Sequence, residues 1–247
     1  MPPSLPQTTA ALLIIGAEVL SGKVDDQNGP FMIRSLRARG VELKEIRVID
    51  DDPAMITAAV AELHARTSYV FTSGGIGPTH DDVTVPSVAD AFSLPLVQDP
   101  GLAQMFRDRF PEPRRQEAAL RMAQIPKGAS VTMAGFVPVV QIHNVTLLPG
   151  VPSLFRSCFD AISSRIEGAP FFTEALYLTT SETSIAAHLT EVQREFPQVA
   201  IGSYPHFDNV QYRVKVTVDS RDAGAVSEAI EKIRAGLNSA WFLESIS

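Results

Sequence analysis

One cysteine, Cys158, in 247 residues leaves no partner for an internal disulfide and no thiolate set for a zinc site. No apolar run approaches the roughly 18 residues that a membrane span requires. Met1 to Ala10 also lacks the basic start and long apolar segment of a signal peptide. A cytoplasmic protein with no membrane partner is expected. Positive charge is short as well: 21 Lys and Arg stand against 28 Asp and Glu, a net charge of −7. That balance weighs against a nucleic-acid partner and assigns anion binding to backbone donors and metal instead of a broad basic field. The common phosphate motifs are missing too. Gly16 and Gly22-Lys23 are separated by five residues where a Walker A loop has four, Val24 stands where its Ser or Thr would bind magnesium, and there is no G-x-G-x-x-G.

What is present centres on Phe71-Thr72-Ser73-Gly74-Gly75-Ile76-Gly77-Pro78-Thr79-His80-Asp81-Asp82-Val83-Thr84. A short apolar strand, Tyr69 to Phe71, runs into three glycines within four residues, a proline turn, two adjacent carboxylates and a threonine placed to cap a helix. Glycines let backbone N–H groups approach an anion such as phosphate. Asp81 and Asp82 would repel that anion unless a divalent cation lay between, so the stretch predicts a metal-assisted anion site.

Met1 to Ala10 is expected to be disordered, its first nine residues being rich in Pro, Ser and Thr. The uninterrupted apolar run Ala11 to Ile15 predicts a strand buried on both faces. Gly16 to Asp26 is expected to be a loop, with Glu18, Ser21, Asp25 and Asn28 at the strand's C-terminal edge, where open α/β sheets bind ligands. A solvated loop in which Asp25 or Asp26 caps the next helix fits the same pattern. Residues 27–39 predict a helix and Val41 to Ile49 a strand. In Asp50-Asp51-Asp52-Pro53, Asp52 and Pro53 are the N-cap and first residue of a second helix. Strand and helix then alternate through Tyr69, which predicts a three-layer α/β fold with a mostly parallel, doubly wound sheet. It places Glu18, Asp51, Asp81 and Asp82 after successive strands.

Residues 100–123 predict two helices broken at Phe110-Pro111-Glu112-Pro113, with Arg107, Arg109, Arg114, Arg115 and Arg121 forming either a phosphate grip or a solvated face. Val137 to Gln141 and Val145 to Leu148 predict paired strands. Pro149-Gly150-Val151-Pro152 turns into a helix whose apolar stripe includes Cys158, which marks that residue as core and not as a nucleophile. Gly168-Ala169-Pro170 is the boundary of a first domain spanning 11–168. Residues 169–247 predict a small βαββα domain, including a strand alternating from Val210 to Val218. Its element order is KH-like, but it has no G-x-x-G clamp, so packing or oligomer contacts are expected in place of RNA.

Residues 12–166 resemble the molybdopterin-binding fold shared by molybdopterin-adenylating enzymes and CinA-type proteins, and residues 170–238 resemble the small domain that follows it in CinA. The resemblance rests on Gly16-Ala17-Glu18-Val19-Leu20-Ser21-Gly22 with Asp25 and Asn28, on the glycine–acid stretch, and on Leu148-Pro149-Gly150-Val151-Pro152. Ile76 and the Asp81-Asp82 pair are CinA-like, whereas Phe136 to Val145 is closer to the domain preceding FAD synthase in some bifunctional proteins. Ala17 departs from a common Thr, and the segment near Phe136 lacks the small-residue pattern of many relatives. No nicotinamide-nucleotide deamidase or FAD synthase domain is recognisable in these residues, so neither activity is carried over.

The resemblance implies metal-dependent hydrolysis of a pyrophosphate bond in an ADP-ribose or FAD type substrate. It carries over Asp82 and Asp51 as metal-binding or catalytic acids. With Asp81 added, these would hold or orient Mg²⁺, Mn²⁺ or Co²⁺. Gly74, Gly75 and Gly77 would cradle phosphate, Glu18, Asp25 and Asn28 would contact the nucleoside or attacking water, and Thr79, Pro149 and Gly150 would complete the substrate contacts. The alternatives are a molybdopterin-binding or molybdopterin-adenylating protein and a non-catalytic assembly protein. The expected partners are a small nucleotide or pterin ligand and further copies of the chain, as a dimer or trimer.

Overall fold

A computed structural model describes residues 7–209 and 211–243, which form two compact units, Met1–Ala169 and Pro170–Ser247. In the first unit, β1 (Thr9–Ile15) leads through a short helix, α1 (Ala17–Leu20), and α2 (Asn28–Ala38) to β2 (Glu42–Ile49). Then come α3 (Pro53–Arg66), β3 (Tyr69–Ser73) and α4 (Thr84–Ala91). An excursion follows through β4 (Leu96–Gln98), α5 (Pro100–Arg109), α6 (Pro113–Arg121) and β5 (Gln124–Pro126). The chain returns through β6 (Ser130–Ala134), β7 (Val137–Ile142) and β8 (Val145–Leu148) to α7 (Pro152–Ile162).

Six strands make one sheet in the order β2-β1-β3-β8-β7-β6, with β2, β1, β3 and β8 parallel and β7 antiparallel to both its neighbours. The alternation of β1 divides the core into two faces. Ala10, Leu12 and Ile14 pack with Met32, Leu36, Phe155 and Phe159 of α2 and α7. Ala11, Leu13 and Ile15 pack with Ile56, Val60 and Leu63 of α3, Val88 of α4 and Phe106 of α5. Both faces of β1 are covered, which is why its sequence is apolar at every position from Ala10 to Ile15. The three-layer fold is the expected one.

Local differences from the sequence reading have physical causes. β1 begins at Thr9, so Thr9 and Ala10 are ordered in the sheet, and the Thr8 carbonyl accepts from Glu42 N; residues 1–6 of the expected disordered segment lie outside the described residues. The Gly16 to Asp26 loop contains α1, one turn of helix closed by the Ser21 N–H on the Ala17 carbonyl. Asp26 serves the start of α2, accepting from the N–H groups of Asn28 and Gly29, while Asp25 does not. Asp52 caps α3 by accepting from Met55 N at 2.8 Å, with Pro53 at the first helical position. Thr84 does not cap α4. The turn at Gly75 brings the Gly74 carbonyl to its hydroxyl, which donates there at 2.9 Å, and Val83 occupies the cap position.

The second unit is β9 (Phe172–Leu178), α8 (Glu182–Glu195), β10 (Ala200–Pro205), β11 (Val214–Ser220) and α9 (Ala223–Gly236), the βαββα order. Its antiparallel sheet runs β10-β11-β9. The alternating strand is shorter than its pattern: Val214, Val216 and Val218 face the core, Tyr212 lies before the strand and meets Tyr177 and His206 edge-on, and Val210 lies outside the described residues.

Cys158 is fully buried on α7, and burial pushes its thiol up to about 11. Only the thiolate reacts with disulfide reagents. The folded protein is therefore expected to leave Cys158 unmodified at pH 8, with full labelling on denaturation; a colorimetric thiol assay with and without urea checks this.

Candidate functional site

Four parallel strands end along one edge. Ile15 leads to Glu18, Ile49 to Asp51, Ser73 to the glycine–acid stretch, and Leu148 to Pro149-Gly150. β1 lies between β2 and β3, so the loops after β1 and β3 depart where the winding direction reverses, the place where open α/β sheets bind ligands. Backbone bonds tie these ends together: Gly16 N donates to the Ile49 carbonyl and Gly74 N to the Leu148 carbonyl.

Gly74 and Gly75 have φ of +104° and +65°. A β-carbon on Gly74 would stand 2.3 Å from the Ile15 carbonyl oxygen, and one on Gly75 would stand 2.2 Å from the Thr84 hydroxyl. Both positions therefore require glycine for internal packing as well as conformation, whatever ligand is bound. Asn28 closes the arrangement. It is 5% exposed, and its Nδ2 donates both to Ser73 Oγ at 2.9 Å and to the Gly150 carbonyl at 2.8 Å. Asn28 is thus a latch between the loops after β3 and β8, and its Oδ1 is buried with no hydrogen-bond partner among the described residues.

Beside these loops lies a cavity of about 630 Å³. Its lining includes Glu18, Asp51, Asp81 and Asp82 with Gly74, Gly75 and Gly77. Pro149 and Gly150 form part of its wall. The lining also carries an apolar group, Phe106, Phe110, Met122 and Phe136, with the guanidinium of Arg109 against Phe110 and Phe136. Asp25, Asn28 and Thr79 do not line it.

Each of the two central acids has one oxygen anchored. Asp51 Oδ2 accepts from Ala17 N at 2.9 Å. Asp82 Oδ2 accepts from Thr79 N at 2.8 Å and from the Thr79 hydroxyl, so Thr79 orients an acid of the cavity. Gly77 leaves room for that carboxylate, since a β-carbon there would stand 2.7 Å from it. The neighbouring Thr79 side chain, and then its own backbone N–H, hold the exposed Asp81 carboxyl below its usual range. Among the described residues no three Asp, Glu, His or Cys side chains stand together as a metal cage. The arrangement suits a cation that takes one or two carboxylates and completes its shell with water and phosphate, as Mg²⁺ does.

The sequence reading brought the carboxylate group together and missed the aromatic group. Its signal was the spacing Phe106, Arg109, Phe110, which sets three side chains on one face of a helix end.

An αβα sheet with its glycine and acid loops gathered at one edge defines the class, and the family follows. The chain belongs to the family described as probable molybdopterin binding domain, whose model matches residues 11–168. Residues 170–245 match the FAD synthase middle domain. A probable FAD synthase of Caenorhabditis elegans is 32% identical over 94% of this chain, and the chain spans only 50% of that protein. A CinA-like protein of Desulfosudis oleivorans is 29% identical over 87% of this chain and 56% of its own length. The solved structure of the CinA protein of Thermoplasma acidophilum, described as of unknown function, superposes with a TM-score of 0.60 at 26% identity, covering 65% of this chain and 98% of that one. No helix among the described residues is long and apolar enough to cross a membrane.

Replacing Asn28 by Ala leaves a buried hydroxyl and a carbonyl without their donor. It is expected to lower stability by about 2 kcal/mol in urea unfolding followed by circular dichroism. An unchanged midpoint would show that the latch contributes nothing.

Proposed function

We propose that the cavity hydrolyses a nucleotide pyrophosphate bond in an FAD or ADP-ribose type substrate. The observation that supports this reading most is that Asp51 and Asp82 line the same cavity as the glycine turn, each with one oxygen fixed by backbone N–H and the other uncommitted among the described residues. Such half-anchored carboxylates suit a divalent cation, Mg²⁺, Mn²⁺ or Co²⁺, that would be held by Asp51 and Asp82; Asp81 lines the same cavity. Bound there, the cation would neutralise the charge that gathers on the phosphate oxygens.

The chain's own residues supply position. The glycine turn allows the pyrophosphate to approach the backbone, and the anchored acids keep their geometry before substrate arrives. Water attacks one phosphorus, the bridging P–O bond breaks, and the products are AMP and a second phosphomonoester, with protons released to solvent. The FAD synthase middle domain and the relative named probable FAD synthase support a nucleotide of this kind.

A second reading, binding or adenylation of molybdopterin, is supported by the family match. Further copies of the chain as a dimer or trimer and a cytoplasmic location belong to the same proposal.

Incubation with FAD or ADP-ribose and each metal is expected to release AMP, read by chromatography. Asp82→Asn and Asp51→Asn, which retain a hydrogen-bond acceptor but lose the charge, are expected to lower the rate about 100-fold or more. Absence of AMP with all three metals removes the hydrolytic reading, and ATP-dependent adenylation of molybdopterin would establish the second.

A further inference from the structure

The aromatic group in the cavity wall has a composition that phosphate chemistry does not require. Phe136 is 51% exposed, an apolar ring kept at the surface beside a cavity. Its place is fixed by the chain: Ala134 pairs with Val137, so Gly135 and Phe136 form a two-residue hairpin loop. Gly135 has φ of +62°, the conformation a type II′ turn needs at its first position. The Arg109 guanidinium carbon lies 4.2 Å from the centre of the Phe136 ring and 5.9 Å from that of Phe110.

Arg109 is the single cation among the described residues lining the cavity, against the acids Glu18, Asp51, Asp81 and Asp82. No hydrogen bond or ion pair occupies its donors among the described residues, although Asp51 and Asp82 are each engaged. A planar cation stacked on a ring, with free donors at its rim, matches a ligand that is itself flat and carries an anion.

We propose that Arg109 and Phe136 form a specificity clamp for a planar, conjugated heterocycle bearing a phosphate. The ring extends the existing stack while the guanidinium rim meets the phosphate. The clamp rests on the reading of the cavity as a nucleotide site, but it does not require hydrolysis. It selects the ring-bearing half of a substrate over a bare sugar phosphate.

The test is calorimetric titration in Mg²⁺ buffer with FMN, AMP and ribose 5-phosphate, none of which has an anhydride bond to cleave. The wild-type chain is expected to bind FMN or AMP at least tenfold more tightly than ribose 5-phosphate. Phe136→Ala is expected to weaken that ring-bearing ligand about 10-fold and leave the sugar phosphate unchanged. Phe136→Tyr restores binding. Arg109→Ala weakens the ring-bearing ligand as well, and Arg109→Lys, which keeps the charge without the plane, does not recover it. Whether FMN or AMP responds identifies the ring seated there.

Equal affinity for all three ligands, no saturable binding of FMN or AMP, or a Phe136→Ala variant that binds as wild type would each overturn the clamp. The two proposals fail separately. AMP release from FAD without Phe136-dependent binding refutes the clamp alone; Phe136-dependent binding without AMP release refutes hydrolysis alone.

Discussion

The ends of β1 and β3 approach more closely than a side chain on Gly74 permits, and the turn after β8 lies in contact with them. A β-carbon on Gly74 would meet the Ile15 carbonyl at 2.3 Å, and one on Gly150 would lie 3.4 Å from the Gly74 α-carbon. Everything at the site depends on this contact. It sets the glycine turn, which brings the Gly74 carbonyl to Thr84, and it leaves a gap that the Asn28 amide spans between Ser73 and Gly150. An edge held by backbone and one buried amide is rigid before any ligand arrives, which is the condition for preorganised charge stabilisation.

Charge is then arranged against the ordinary rule for an anion site. Four acids and one arginine line the cavity among the described residues, so an anion alone would be repelled by the acids. The repulsion becomes attraction only with a cation beside the carboxylates, or with the anion placed towards Arg109. The cavity thereby offers two kinds of surface, acids with glycines and aromatic rings with an arginine. A ligand with both a charged and a flat part fits that pairing better than a compact anion does.

Much of this edge was legible in the sequence because local rules decide it. The apolar run ending at Ile15, the Asp52-Pro53 helix start and the Gly74 to Asp82 turn each speak for themselves, and strand order then gathers Glu18, Asp51 and Asp82. The short strands β4, β5 and β6 were not legible. Two of them are three residues long, and β5 includes Pro126, which carries no N–H for a ladder. Asn28 read as a ligand contact, since nothing local says that its neighbours are Ser73 and Gly150, 45 and 122 residues away. Arg109 read as one of five arginines that formed either a phosphate grip or a solvated face. Only the return of the chain at Phe136 distinguishes it from the others.

Phe136 sits at the tip of a hairpin whose outer strand, β6, is the last in its sheet. A two-residue turn at such a margin is replaceable: its length and side chains change without altering the register of any interior strand. The glycine and acid loop has no such freedom, because a side chain on Gly74 would meet the end of β1 and one on Gly75 or Gly77 would meet Thr84 or Asp82. Ligand preference and reaction chemistry are therefore written on parts of the chain that tolerate change to very different degrees, so a lineage can exchange the first while the second stays fixed.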